Sequence, residues 1–237
     1  MLANSLIVNY GCHGKTIKDQ GFCGSCYAFT AADTIAMIIG GKTNNYQPFS
    51  AQFLVNVGGC LGNNFSTPFN YVMNHGIPLE ENCPYNSSSG FNYPLSCAPN
   101  VNVSLTGYDY KQGCSSILSA LQFRPIAVGI YLFFHTSFYG SGVIYTPSNS
   151  VNHAVVLVGY HHQYGFRIKS SWGYSWGKQG FGWVSKNSNW NGNICYYGVD
   201  LTFSPDIIVS PCSQCPKPWI GFDYRLRQIY FKYKLNN

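Results

Sequence analysis

The chain has 237 residues, of which 46% are apolar and only 9% are charged, and its formal net charge is +6. This length can bury a substantial core in one or two domains, and the large apolar share excludes a disordered chain. The 14 basic residues are scattered rather than clustered, so we expect no nucleic-acid partner. No apolar run approaches the roughly 20 residues of a membrane span, so no transmembrane segment is expected.

In chain order, a helical first half precedes a β-prone second half. Four helices are predicted, over residues 27–40, 50–55 with Ser50 as N-cap, 67–74 and 115–122. A long ordered loop rich in Pro, Asn, Ser and Tyr is predicted between about 78 and 105. Four β-prone runs separated by Gly, Pro and Asn follow, at residues 126–131, 154–160, 165–170 and 180–185. This order predicts an α+β fold with a cleft between the two halves.

The ten cysteines indicate an oxidising compartment, because cytosolic proteins rarely keep so many in a chain of this size. Three Asn-X-Ser sequons, at Asn64, Asn86 and Asn102, agree with a secretory route and a glycoprotein. In a chain so rich in Asn, about half of such sequons are expected by chance, so this alternative stays open.

The most informative stretch runs from Gln20 to Phe29 and reads QGFCGSCYAF. Within it, Cys26 stands at the start of the first predicted helix, after Gly24 and Ser25, which are expected to supply a tight turn and a capping hydroxyl. A helix N-terminus favours the thiolate, the form of cysteine that attacks carbonyl groups. Cys26 is therefore the candidate nucleophile, and the alternative is a structural disulfide.

The string Cys-Gly-Ser-Cys followed by an aromatic residue resembles the active-site sequence of papain and the cathepsins, in which a histidine follows about 130 residues later. Here His153 follows, in Asn-His-Ala-Val. The resemblance runs from about residue 10 to 203, and four separated stretches carry it: residues 20–29, 50–55, 152–160 and 169–182. It implies a papain-like two-domain fold, with a helical N-terminal half, a β-barrel-like C-terminal half and the active-site cleft between them.

The resemblance implies catalytic roles for four residues. Cys26 would attack the substrate, and His153 would hold the proton as an imidazolium. The side-chain amide of Gln20 would donate to the oxyanion together with the backbone N–H of Cys26. The family places a histidine-orienting asparagine where this chain has Ser170. Because serine has a shorter reach than asparagine, we expect a looser imidazole and a reduced turnover.

The resemblance also implies substrate contacts. A Gly-Gly pair that lines the cleft in the family reads Gly62-Asn63 here, and Asn152 stands where the family often has Asp. Trp172 would shield the histidine from water. The main specificity pocket of the family takes the side chain second from the scissile bond, and counting from the C-terminal cysteine of the pattern puts Asp200 at its floor. We therefore expect Arg to be accepted there beside large apolar residues; alternatively, Asp200 caps a turn or faces solvent.

The resemblance implies the family disulfide Cys23–Cys60. We also expect a local bridge Cys83–Cys97, and a Cys12–Cys114 bridge that resembles a pairing in the mite-allergen branch of the family. Cys195 occupies the family's C-terminal disulfide position, but no cysteine lies within residues 140–152 to receive it. With Cys26 free, nine cysteines remain, so at least one must be unpaired or intermolecular.

We expect a peptidase domain over residues 1–203, helical over about 14–105 and sheet-rich over about 106–203. A C-terminal extension would cover residues 204–237. Its Cys212-Ser-Gln-Cys215 could be a redox pair, half of a metal site or a local disulfide, and the local disulfide is favoured. A basic and aromatic segment follows, and an edge strand with a solvated basic face is favoured there over a partner-binding or membrane-surface strand.

The leading interpretation is a cysteine endopeptidase that acts through a Cys26–His153 thiolate–imidazolium pair and a thioester, in a lysosomal, vacuolar or secreted compartment. Two alternatives stay open. One is a catalytically impaired homologue that binds peptides or proteins, supported by Ser170 and Asn63; the other is a cathepsin C-like exopeptidase, supported by Tyr27. We expect a monomer without cofactor or metal. Its expected partners are peptide or protein substrates and, from the family, cystatin-type inhibitors or a prosegment.

Overall fold

The computed structural model of the protein describes residues 7–14, 16–97, 101–189 and 191–212. The helices of this part are α1 Cys26–Thr43, α2 Ala51–Gly58, α3 Ser66–His75 and α4 Cys114–Leu121. The strands are β1 Ile7–Asn9, β2 Leu105–Lys111, β3 Ile126–Ile130, β4 Val143–Ile144, β5 His153–His161, β6 Gly165–Lys169, β7 Phe181–Val184 and β8 Gly198–Phe203. Short 3-10 turns span Gly11–His13, Glu80–Asn82 and Phe134–Phe138. None of the described helices is long and apolar enough to cross a membrane.

The four predicted helices are present, and the caps explain where two of them begin or end. At the start of α2, the hydroxyl of Ser50 accepts a hydrogen bond from the Phe53 N–H at 3.0 Å. Helix α3 ends at Gly76, which has a φ of +69° that favours glycine. The hydroxyl of Ser25 does not cap α1, contrary to expectation. It lies instead 3.0 Å from the hydroxyl of Tyr85.

The strands form one sheet with the order β2-β8-β3-β5-β6-β7-β4, and β1 adds to β5. All pairs are antiparallel except β4 with β7. The four predicted strands correspond to β3, β5, β6 and β7. Every residue of β3 and the first seven residues of β5 are buried. Because both faces of these central strands are covered, their sequences are continuous apolar runs without alternation.

The helical and sheet-rich parts share a continuous core. Buried apolar side chains of α1, α2 and α3 form one cluster with those of the sheet. Charged groups also cross between the parts, since the ammonium of Lys169 on β6 donates to the carboxylate of Asp33 on α1, and both residues are buried. The architecture is therefore α+β, with the helices α1 to α3 on one side and the sheet on the other.

The disulfides differ partly from the expected set. The structure contains Cys23–Cys60 and Cys83–Cys97. The expected Cys12–Cys114 bridge is wrong, because Cys12 bonds to Cys212 and Cys114 bonds to Cys195. Both observed pairs join residues at least 81 positions apart, so their proximity depends on the sheet topology and cannot be read from spacing.

The bond between Cys12 and Cys212 also corrects the interpretation of the CxxC pair. Cys212 has no free sulfur for a local disulfide with Cys215 or for a metal ion. The backbone N–H of Cys212 donates to the carbonyl of Asn9 at 2.8 Å, and that of Val209 donates to Phe123 at 2.8 Å. The start of the extension is therefore attached to the sheet, whereas Cys215 and the basic, aromatic segment lie outside the described residues.

Candidate active site

Cys26 is the first residue of α1 and has no disulfide partner. The loop before it is fixed by Cys23–Cys60 and by two backbone hydrogen bonds, from Gly24 N–H to Cys60 O at 2.8 Å and from Gly62 N–H to Gly24 O at 3.0 Å. A Cβ on Gly24 would lie 2.6 Å from that Cys60 oxygen, so only glycine allows this close approach. The loop thus holds the thiol at the positive end of the helix dipole.

His153 begins β5 and is held on two sides. Its Nε2 lies 3.2 Å from the hydroxyl of Ser170, which follows β6. Its ring stacks on Trp172, with ring centroids 4.2 Å apart and planes 23° apart. The predicted Ser170 and Trp172 therefore both contact the imidazole, and the serine reaches it directly despite its short side chain.

Burial opposes both charges of a Cys26–His153 ion pair. It raises the pKa of the Cys26 thiol, although backbone hydrogen bonds with Ala154, Tyr27 and Cys26 itself lower it. It lowers the pKa of the His153 imidazole to about 3. Each group alone is held neutral at neutral pH, so the charged pair requires that the thiolate and the imidazolium stabilise each other.

Gln20 is buried beside this pair, and its side-chain amide is fixed at both ends. Nε2 donates to Cys23 O at 2.8 Å, and Oε1 accepts from the hydroxyl of Ser171 at 2.6 Å. An amide nitrogen carries two N–H donors, so one remains for an oxyanion. Sequence analysis does not identify Ser171 as a functional residue. The one feature that could have identified it is its position next to Ser170.

Tyr85 is a second residue that sequence analysis does not single out. Its hydroxyl donates to the backbone oxygen of Gln20 at 2.8 Å and lies 3.0 Å from the hydroxyl of Ser25. One phenol therefore connects Gln20 and Ser25, the two ends of the loop that carries the candidate oxyanion donor and leads to the candidate nucleophile. Only its position after Pro84 in the Cys83-Pro-Tyr string marks it in the sequence.

Gly62 and Asn63 form an open wall next to the nucleophile loop. Gly62 has a φ of +84°, and a Cβ on it would have no neighbour within 4 Å. The side chain of Asn63 folds onto the adjoining helices, where it donates to Gly58 O at 3.2 Å and accepts from the Thr67 hydroxyl at 2.9 Å. The asparagine thus leaves its backbone exposed, as glycine would.

Asn152, an expected substrate contact, has another hydrogen-bond partner. The side chain of Asn152 both accepts from the Leu132 N–H and donates to the Leu132 carbonyl, each at 2.9 Å. Its amide is therefore used to hold the loop before His153, and the substrate role is corrected to a structural one.

Asp200 lies on β8, where side chains alternate between the two faces of the sheet. A Cβ on Gly198 would lie 3.3 Å from Ile117 of α4, so Asp200, two residues on, also points to the face covered by α4. Its carboxylate lies 3.4 Å from Arg124 Nε and 3.9 Å from Lys111 Nζ. The expectation that Asp200 forms the pocket floor, and the Arg preference it implied, are therefore wrong: a register error of one residue reverses the face.

Comparison with known proteins agrees with this geometry. A model of the papain family of cysteine proteases matches residues 7–201. Cathepsin K of Mus musculus is 35% identical over 197 residues, which cover 76% of this chain and 57% of the relative. Cathepsin L 2 of Paramecium tetraurelia is 31% identical over 173 residues, which cover 69% of this chain and 53% of the relative. The chain thus spans about half the length of these relatives.

Solved structures share the fold. The bromelain protease of Ananas comosus, in complex with the inhibitor E64, superposes with a TM-score of 0.72 at 26% identity over 84% of this chain and 99% of that one. The ragweed pollen cysteine protease Amb a 11, in its proform, gives a TM-score of 0.70 at 26% identity over 86% of this chain and 65% of that one. Since the family model spans both Cys26 and His153, the chain belongs to the papain family of cysteine proteases.

Proposed function

We propose that the protein is a cysteine endopeptidase in which Cys26 and His153 cleave peptide bonds. One observation carries this proposal: Cys26 is a free thiol at the start of α1, and the backbone of Ala154, the residue that follows His153, is close enough to lower the pKa of that thiol. This proximity supports a nucleophile from the helical part of the fold that acts with a base from the sheet.

The arrangement assigns a nitrogen to each step. Nε2 of His153 faces Ser170, so Nδ1 is left to exchange the proton with Cys26. The sulfur bonds to the carbonyl carbon, and the oxyanion accepts from the free N–H of Gln20 and the backbone N–H of Cys26. The imidazolium then gives its proton to the leaving amine as the C–N bond breaks. Water, deprotonated by the imidazole, hydrolyses the thioester and restores the thiol.

The expected substrates and inhibitors would bind beside the nucleophile loop, at Gly62 and Asn63. The exposed backbone of Gly62 and Asn63 can pair with an extended peptide. Covalent inhibitors such as E64 are expected to react with Cys26, because the related bromelain structure contains that inhibitor. An inhibitory prosegment is supported by the proform of the ragweed relative, and cystatin-type inhibition and a monomeric state remain proposals.

The disulfides and sequons support an oxidising location. Four disulfides lie in the described residues, as expected in an oxidising compartment. The sequon residues Asn64, Asn86 and Asn102 are exposed to solvent, so a glycosyltransferase could reach them. We infer a lysosomal, vacuolar or secreted compartment. We also propose that the peptidase unit extends to about residue 203 and that residues 204–237 form an extension fixed to it by Cys12–Cys212.

An internally quenched peptide that is blocked at both ends tests the proposal. We expect wild-type protein to cleave it internally, E64 to add once to Cys26 and abolish cleavage, and Cys26→Ala to be inactive. An exopeptidase of the cathepsin C kind would cleave only after removal of the N-terminal block. A binding homologue would retain the peptide without cleaving it, and either result would contradict the endopeptidase assignment.

A further inference from the structure

Tyr197 stands directly before β8 on the face of the sheet opposite to Gly198 and Asp200. A Cβ placed on Gly129 of β3 would lie 3.0 Å from both Cζ and the hydroxyl oxygen of Tyr197, and 2.7 Å from Cγ1 of Val151. The end of the phenol ring and Val151 therefore occupy the space over Gly129. A larger residue at that position would collide with both.

This space adjoins the catalytic pair. Gly129 is the register partner of Ala154, and the next residue of β3, Ile130, pairs with His153. Burial raises the pKa of Tyr197, and the negative charges of Tyr110 and Cys26 raise it further.

The Tyr197 ring also meets the helical part of the fold. The ring is nearly perpendicular to that of buried Phe65, with centroids 6.1 Å apart. Phe65 follows the exposed wall of Gly62 and Asn63 by two residues. Tyr197 therefore reaches from Phe65, two residues after that wall, to the space over Gly129 beside Val151, which we call the floor.

The geometry of an extended peptide identifies which substrate side chain would meet this ring. Successive side chains of an extended chain point in opposite directions, about 3.3 Å apart along the chain. If the residue with the scissile carbonyl lies over Cys26 and directs its side chain outwards, the preceding residue directs its side chain to the floor. That floor is occupied by Tyr197.

We propose that Tyr197 restricts the side chain second from the scissile bond to small residues such as Ala. This inference rests on the proposed endopeptidase function and names its substrate class: peptides with a small residue before the one whose carbonyl is attacked. Bulky side chains such as Phe are excluded because the phenol ring already fills the space they need. The hydroxyl of Tyr197 has no hydrogen-bond partner among the described residues, so it is free to contact a polar group of the substrate.

Four blocked, quenched peptides test the proposal, with Ala or Phe at either the first or the second position before the cleaved bond. We expect wild-type kcat/KM to favour Ala over Phe at the second position by at least about 10-fold, the discrimination typical of an apolar side chain in a pocket. Tyr197→Ala should reverse this ratio and leave the ratio at the first position unchanged. Tyr197→Phe should keep the wild-type ratio, because the ring remains.

Tyr145→Ala is the matched control, since Tyr145 is an exposed tyrosine. Wild-type protein that cleaves the Phe peptide as fast as the Ala peptide would overturn the proposal, whatever the variants do. An unchanged ratio in folded Tyr197→Ala would also overturn it. Labelling of Cys26 by iodoacetamide, which carries no side chain, separates the two hypotheses: a reactive thiol with the wrong ratio contradicts only the role of Tyr197, whereas an unreactive thiol contradicts the enzyme itself.

Discussion

Ser170 contacts the catalytic imidazole but differs chemically from the asparagine that the family pattern places there. Its hydroxyl lies 3.2 Å from Nε2 of His153. The oxygen of an asparagine amide only accepts hydrogen bonds, so it favours the tautomer with the proton on Nε2, whereas a hydroxyl both accepts and donates. Ser170 therefore also tolerates the tautomer with the proton on Nδ1, which cannot take the proton of Cys26.

Ser170→Asn should therefore raise kcat by about 3- to 10-fold, the value of one hydrogen bond, with little change in KM. Ser170→Ala, which can neither accept nor donate, should lower kcat. Steady-state kinetics on one peptide, with a melting curve to show that each variant is folded, provide the comparison. If kcat is unchanged or falls in folded Ser170→Asn, another group already orients the imidazole.

Sequence reasoning at this scale succeeds where a residue is fixed by its immediate neighbours. Cys26 and His153 stand in local strings, and the matching family model covers both positions. The prediction for Asp200 fails for a different reason. The role of this residue depends on which face of β8 it occupies, and an alignment error of one position reverses that face. Ser171 and Tyr85 act through contacts with Gln20, more than sixty residues away in sequence, which no local string reveals.

At the scale of elements, the start of α1 is locked to the loop before it by Tyr85. Its hydroxyl contacts Gln20 at one end of this loop and Ser25 at the other. Tyr85→Phe removes only that oxygen. We expect kcat to fall by about 3- to 10-fold with KM nearly unchanged, because the loop positions the oxyanion donors rather than the peptide.

Tyr93→Phe is the matched control, because the side chain of Tyr93 is about half exposed. The pH profile of kcat should keep its shape in Tyr85→Phe, since neither Cys26 nor His153 is removed. Equal effects of the two substitutions, or a change confined to KM, would show that the Tyr85 hydroxyl does not position the loop.

The helices were more predictable than the strands because their signals are local. Ser50 caps α2, a signal that can be read from the sequence. Among the strands, only buried ones such as β3 and β5 are predicted by continuous apolar runs. Strand β2 contains Gly107 and Asp109 and lies at the edge of the sheet with only Leu105 buried, so its sequence has no apolar pattern. Strands β1 and β4 are only three and two residues long and exist because neighbouring strands pair with them.

At the scale of the whole molecule, a buried charge cluster joins the helical part to the sheet. Asp33 of α1 accepts from Lys169 of β6 and lies 3.9 Å from Lys18, which itself donates to Glu80 at 2.8 Å. Burial lowers the pKa of Lys169, while Asp33 raises it. Asp33 thus opposes the effect of burial on Lys169 at the junction of the two parts.

Asp33→Asn should lower the free energy of unfolding by about 3–5 kcal/mol, because it leaves a buried ammonium unpaired. The pKa of Lys169 would fall further below its value in the unfolded chain, so the unfolded state would bind more protons and stability would rise with pH. The loss should therefore be greatest at acidic and neutral pH and smaller in alkali.

Denaturant unfolding of Asp33→Asn over a range of pH provides the measurement. Asp109→Asn is the control, since Asp109 forms an exposed ion pair with Lys111 and should cost less than about 1 kcal/mol. Similar losses for the two variants would mean that the buried cluster does not hold the parts together.

The two-part fold could be predicted from the order of elements, but the long-range links could not. Cys12–Cys212 spans 200 residues, and both it and Cys114–Cys195 follow from the path of the strands rather than from any family spacing in this chain. The Lys169–Asp33 contact cannot be predicted from the sequence either, because a lysine or an aspartate is ordinarily expected at the surface.

The central claim is that Cys26 and His153 form a reactive ion pair, and the pH dependence of Cys26 alkylation by iodoacetamide tests it most directly. Burial raises the pKa of the thiol, so an isolated Cys26 would react only in alkali. We predict rapid alkylation at pH 5, nearly constant up to pH 8 in wild-type protein, with peptide mapping to identify the labelled cysteine. His153→Ala should lose the reaction at pH 5 and regain it only above about pH 9. A wild-type rate that matches an ordinary thiol at pH 5 and rises about tenfold per pH unit would contradict the account.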